Sequence, residues 1–126
     1  MSPEDRKYTK THEWVKIEGK TAVMGITDHA QHALGDITFV DLPAIGKTVT
    51  QAHECGVIES VKAASDIFAP IAGKVVEVNN ALKDNPEIIN QDPYGKGWMV
   101  KFSDFDASQL NSLMGGKDYD QTAGQE

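Results

Sequence analysis

No disulfide can form within this chain, because Cys55 is its one cysteine. A reducing compartment suits such a composition. No run approaches the roughly 18 apolar residues of a transmembrane helix. The first residues, MSPEDRKYTK, hold no apolar core of an export signal and carry acids too early for a transit peptide. These absences lead us to expect a cytoplasmic protein, or a mature mitochondrial-matrix protein if the source is eukaryotic. Basic runs are missing as well. With 12 Lys and Arg against 19 Asp and Glu, the formal charge is −7 and the isoelectric point about 5.0. Phosphate binding needs clustered cations, so nucleic acid and anionic membrane are excluded as natural partners, whereas a protein with basic patches fits. The chain also lacks a glycine-rich phosphate loop, a G-x-S-x-G elbow, a C-x-x-C pair and an H-E-x-x-H helix. Nothing reads as a self-sufficient active site, which favours a carrier over an enzyme.

What is present is a succession of short strands. Hydrophobic residues make up 40% of the 126, enough for one domain with a modest core over 1–126, its ends at 1–6 and 119–126 loose. THEWVKI alternates, with Glu13, Val15 and Ile17 on one side and Trp14 and Lys16 on the other; EGK turns, and TAVMGIT returns with Ala22, Met24 and Ile26 on one face. Residues 29–34 read as one short helix, with Asp28 as its cap, Gln31 at capping-box spacing and Gly35 as its left-handed stop. Strands follow in DITFVDLP, in AIGKTV as a turn and strand start, in GVIESV, in DIFAP and in VVEV. Residues 79–97 read as a long polar loop pinned by Ile88 and Ile89, then WMVKFS as a strand with Trp98, Val100 and Phe102 on one face. Residues 106–114 read as a C-terminal helix capped by Asp106 or Ser108 and ended by Gly115 and Gly116. About seven strands with few helical residues predict a sandwich or small barrel. GKTV at Gly46 and GKVV at Gly73 hint at a duplicated β unit.

Three polar sites compete for a role. Lys62 stands at the tip Val-Lys-Ala-Ala between two strands, where Gly, Asn, Asp or Pro is the usual choice. An exposed lysine is ordinarily a solvated charge. On a stiff hairpin, however, its amine is a fixed handle for covalent modification. Acylation would remove its charge, and a long arm there could reach several partners. His29 and His32, at i and i+3 near Asp28 and Asp36, have a spacing a metal could use, but a solvated helix face explains them better. His53 and Cys55 share a side of an extended segment; without a helix N-terminus or a third group, an inert strand cysteine is the better reading than a nucleophile.

ESVKA at 59–63 followed by SDIFAPIAGKVVEVN at 65–79 resembles the lipoyl-attachment region of the glycine cleavage system H proteins. HEWV at 12–15, GITDHAQHALGDITFVDLP at 25–43 and NQDPYGKGWMVK at 90–101 resemble further segments of that family in the same order. The resemblance spans roughly Lys7 to Phe102. It implies a mostly β fold, the lipoyl/biotinyl-type barrel-sandwich hybrid, with extra N-terminal strands, one short helix after strand two and a C-terminal helix. It implies lipoate in amide linkage on Lys62, with Glu59 and Gly73 read by lipoylating enzymes. Glu13 and Asp66 match acidic positions near the cavity that shelters the loaded arm. His32 stands one place earlier than the family's histidine, with Ala33 at that place, and Phe68 and Ala69 replace the common Tyr and Ser. The implied role is a monomeric carrier, itself no enzyme. It takes the aminomethyl group of glycine from a pyridoxal-phosphate glycine decarboxylase to a tetrahydrofolate-dependent aminomethyltransferase, and is reoxidised by a flavin dihydrolipoyl dehydrogenase. An H-like protein that mainly stores or donates lipoate for 2-oxo acid dehydrogenases is the alternative. A lipoyl domain of such a dehydrogenase would carry Asp before the lysine and Ala/Pro-rich linkers, and a biotin carrier would carry Met on both sides; Val61 and Ala63 flank Lys62 here.

Overall fold

A computed structural model of the chain describes residues 2–123. Two antiparallel sheets enclose the main core. The larger holds β1 (Lys7–Tyr8), β2 (Glu13–Glu18), β3 (Thr21–Ile26), β9 (Val100–Ser103), β8 (Gly73–Val78) and β5 (Thr48–Val49), in that order. The smaller holds β4 (Ile37–Asp41), β6 (Glu54–Ser60) and β7 (Ala64–Phe68), again in that order. The mostly β architecture read from the alternation is the one observed. Val15, Ala22, Met24, Ile26, Ile58, Ile67, Val75, Val100 and Phe102 are all buried between the sheets. That burial is the main stabilising term of the fold.

The β2–β3 hairpin has the expected turn, with Glu18 paired to Thr21. Its second face is covered as well. Trp14 and Val23 are buried there with Tyr8, Tyr119 and Ala123 in a second small core. Trp14 donates its indole N–H to the carbonyls of Ile26 and Pro93 at 3.0 Å each, and the Arg6 guanidinium lies 4.6 Å over its ring. The reason is tertiary: the N-terminal segment, the loop before β9 and the C-terminal helix all fold over this face. Trp98 joins that second cluster and does not share the face of Val100 and Phe102, because β9 begins only at Val100.

The short helix α1 (Asp28–Leu34) is where expected, but its cap is one residue earlier: the Thr27 side chain accepts from the Ala30 N–H, while Asp28 takes the Gln31 amide at 2.8 Å. The polar stretch after β8 is not a plain loop. It holds α2 (Ala81–Asp84) and α3 (Ile88–Gln91), with Ile89 buried and Ile88 packed on the core, as the pinning predicted. Residues 106–114 form a 3-10 helix at Ala107–Ser112, capped by Asp106, and a second helix, α4 (Gly116–Ala123), follows. Gly115–Gly116 therefore separates two helical pieces. Ordered contacts reach into both ends of the chain: the Ser2 hydroxyl donates to Asp120, and Tyr119 is buried. Met1 and residues 124–126 lie outside the described residues.

The GKTV and GKVV segments turn out to be partners. Thr48 pairs with Lys74 and Val49 with Gly73, and Gly46 donates to the Val75 carbonyl. The likeness belongs to two strands that meet antiparallel about a local two-fold.

Candidate functional site

The β6–β7 hairpin carries Lys62. Ser60 N–H donates to the Ala63 carbonyl at 2.8 Å, so Val61 and Lys62 are the two tip residues. The turn is Ser60–Ala63, one residue earlier than the Val-Lys-Ala-Ala reading, because β7 already begins at Ala64. No glycine or asparagine is needed, for Ser60 supplies the turn chemistry itself. Its hydroxyl oxygen accepts from the backbone N–H of Lys62 at 3.2 Å and of Ala63 at 3.3 Å. A third tie runs outside the hairpin, from Val61 N–H to the Asp36 carbonyl at 3.0 Å. The tip is thus braced against the chain that leaves α1. Val61 is 67% exposed and Lys62 is exposed beside it. The lysine stem passes over Gly35, where a Cβ would sit 3.4 Å from Lys62 Cε; the φ of +78° there favours glycine independently.

Glu59 lies on β6 facing solvent, opposite Phe39 and Ala64. Gly73 is elsewhere. It opens β8 in the other sheet and is buried, and a Cβ would lie 3.0 Å from Phe102 Cβ and 3.1 Å from the Ser103 carbonyl. The close approach of β8 to β9 is what requires glycine at that position.

Glu13 occupies a different environment from Lys62. It is 1% exposed, yet it lines a mostly apolar cavity of about 370 Å³ together with Thr11, Gln51, Phe68, Leu113 and Met114. Its Oε1 accepts from the hydroxyls of Thr9, at 2.6 Å, and Thr11; its Oε2 accepts the Phe68 N–H at 3.3 Å. Burial holds the Glu13 carboxyl above the usual carboxylate range, and the two hydroxyls and the amide pull against it. Asp66, expected beside Glu13, is exposed on β7 opposite Val57 and does not line this cavity. Phe68, two residues on along the same strand, takes that wall instead.

The histidines do not gather into a metal site: no group of three or more His, Cys, Asp or Glu able to hold a metal occurs among the described residues. His32 is exposed and pairs with Asp28 at 3.3 Å along α1. The His29 ring lies 4.5 Å from that of His12. Cys55 is buried with Sγ 3.8 Å from Met24 Sδ, and burial pushes its thiol up to about 12. His53 is exposed, for the register shifts between Glu54 and Gly56 and breaks the shared side that strict alternation gives. A thiol so buried and so reluctant to ionise has no nucleophile's character. The residues that sequence reasoning missed are Thr9, Thr11, Leu113 and Met114. Threonine at two and four residues before a buried glutamate was the one local trace.

The profile of the family described as "Glycine cleavage H-protein" matches residues 6–126. Among curated proteins, the glycine cleavage system H protein of Thermus thermophilus is 54% identical over 112 residues, covering 89% of this chain and 88% of its own length. That of Carboxydothermus hydrogenoformans is 48% identical over 118 residues, covering 94% and 91%. The crystal structure of a glycine cleavage system H protein from Mycobacterium marinum superposes with a TM-score of 0.89 at 40% identity, covering 98% of this chain and 99% of that one. The two-sheet arrangement is the lipoyl-type barrel-sandwich fold of that structure.

Proposed function

The chain belongs to the glycine cleavage H-protein family, and we propose that it is a covalent carrier whose working group is lipoate on the Lys62 amine. The observation that carries this reading is the braced, glycine-free hairpin tip with one exposed lysine at its end. Lipoate there would supply a disulfide that accepts the aminomethyl group of glycine and yields it to a second enzyme. The residues present fit such a group. An amine held out from a stiff turn is open to an acylating enzyme, and Glu59 stands exposed on the same strand for that enzyme to read. Gly73 serves recognition at one remove, by letting β8 lie close against β9 within their sheet.

The cavity fits the loaded end. Its walls are apolar, as a hydrocarbon arm requires, and its one carboxylate, Glu13, suits a terminal ammonium. Thr9 and Thr11 hold that carboxylate in place, while Phe68, Leu113 and Met114 keep water from it. Asp66, exposed on the strand between Lys62 and Phe68, guides the arm along its way. The pocket must hold the arm only modestly, since the arm has to leave for the next catalyst. The partners in this reading are the glycine decarboxylase, the aminomethyltransferase, the dihydrolipoyl dehydrogenase and the lipoylating enzymes. Residues 1–126 act as one carrier domain, a monomer without catalysis of its own. No described helix is long and apolar enough to cross a membrane; with bacterial relatives this supports a cytoplasmic site of action.

Peptide mass mapping across Glu59 to Lys74 of protein from its native source tests the attachment: lipoate on Lys62 is the expected result. Glycine–bicarbonate exchange with the decarboxylase then tests the shuttle. Exchange that proceeds equally without this protein's lipoyl group would leave only a lipoate store.

A further inference from the structure

The turn that leads into Glu13 is unusual in its backbone. His12 has φ of +71°, a left-handed conformation uncommon outside glycine, which asparagine, aspartate and histidine enter more readily than other residues. That conformation closes the chain on itself. Thr9 N–H donates to the Glu13 carbonyl at 2.9 Å, His12 N–H to the Thr9 carbonyl at 3.3 Å, and Glu13 N–H to Thr9 Oγ1 at 3.0 Å. Only in this closed turn do the Thr9 and Thr11 hydroxyls both reach the same carboxylate oxygen. Both land on Oε1, while Oε2 accepts the longer Phe68 bond, and Glu13 as a residue lines the cavity.

Something must hold His12 in its strained state, and the holder is the C-terminal helix. His12 Nδ1 lies 2.6 Å from the Tyr119 hydroxyl, which lies 2.7 Å from the hydroxyl of Thr27, the cap of α1. The Thr27 N–H donates to the His12 carbonyl at 3.0 Å. The Tyr119 ring is stacked on Tyr8 at 4.8 Å, and Tyr8 is bonded in both directions to Met114, itself a wall of the cavity. From these contacts we infer that His12 and Tyr119 are positioning residues, through which the C-terminal helix fixes where the Glu13 carboxylate points. This deepens the reading of the cavity as the shelter of the loaded arm and rests on it for its consequence, although not for its geometry. Among the described residues the titratable groups near the carboxyl are Lys10 and Tyr8, which line the same cavity, Cys55, and His12 beside it in the chain; Tyr119→Phe leaves all four in place, and His12→Asn removes only His12.

The test uses the full chain labelled with ¹³C at glutamate carboxyls, Glu13 being assigned by its loss in Glu13→Gln. Tyr119→Phe keeps the ring on Tyr8 and removes only the oxygen. His12→Asn, a residue that tolerates the left-handed backbone, keeps the turn and removes the imidazole. In both, the slackened hydroxyls should let the Glu13 titration rise by roughly half a pH unit. In lipoylated protein carrying the aminomethyl group, the lifetime of the load in buffer should shorten severalfold, toward that of Glu13→Gln. An unchanged Glu13 titration in both variants overturns the inference, even if their melting temperatures fall, because the pair would then serve stability alone. A shifted titration with lifetimes unchanged in all three variants upholds the positioning and removes the sheltering role instead.

Discussion

Lys62 and Glu13 are opposites in environment, and their substitutions separate attachment from shelter. Lys62→Arg keeps the positive charge and the long stem that passes over Gly35. Its guanidinium, however, cannot form the amide. The expected outcome is complete loss of the acylated mass with a melting curve within about 0.5 kcal/mol of the parent, as for other exposed sites. Any lipoyl mass remaining on that variant would place the attachment elsewhere. At Glu13, proton binding is linked to folding. Burial raises its folded pKa above the unfolded value of about 4.3. Between those two values the folded state binds more protons than the unfolded one, so stability falls as pH rises through that window and stays lower above it. Glu13→Gln removes this titration. Urea melts should show the variant gaining on the parent from mildly acidic to neutral pH, with no difference below the window. A variant less stable than the parent at neutral pH would mean that the Thr9 and Thr11 bonds outweigh burial. Lys62 was legible in the sequence because hairpin tips have a known vocabulary and Lys62 departs from it. Glu13 was visible only through the family likeness, since nothing local announces that Met114, 101 residues away, will close over it.

Among the elements, β8 and β9 approach each other closely at Gly73. At Gly73 a Cβ would meet Phe102 Cβ and the Ser103 carbonyl, one of them backbone and the other fixed in the core. Neither can yield cheaply, so Gly73→Ala should cost about 1–3 kcal/mol and lower the melting temperature by roughly 5 °C or more. Acylation of Lys62, assayed well below the melt, should slow no more than the folded fraction does. A large drop in acylation with an unchanged melt would make Gly73 a direct contact of the lipoylating enzyme. The elements also mark where pattern reading holds and where it fails. Alternation located the β2–β3 hairpin and the face that holds Val15, Met24 and Ile26, because one buried face imposes period two. It placed Trp14 on the opposite face but gave no sign that segments far away in the chain cover it. The expected helix at 106–114 became a 3-10 turn followed by α4, with Gly115–Gly116 joining helical pieces instead of ending the last. Glycine pairs punctuate a chain without saying what comes after.

For the molecule as a whole, the hairpin and the cavity draw on different parts of the fold, with Phe68 of β7 belonging to both. The three-stranded sheet presents Lys62 on a hairpin braced by Asp36, with its inward residues Ile58 and Ile67 in the main core. The cavity instead draws its walls from residues 8–11, 13, 51–52, 68–70 and 112–114, and its C-terminal wall is steadied by α4 through the second core. Ending the chain at Gly115 should therefore separate the two. Loss of the buried Tyr119 and Ala123, with the stacking on Tyr8, should remove about 2–4 kcal/mol. Lys62, attached to the other core, should be acylated at the parent's rate, followed by intact mass against time at a temperature where both proteins are folded. The loaded form of the shortened chain should lose its cargo to water faster than the parent. If acylation fell along with the cargo's lifetime, the hairpin and the cavity would be one cooperative unit. The C-terminal helix would then support the attachment lysine as much as the carboxylate beneath it.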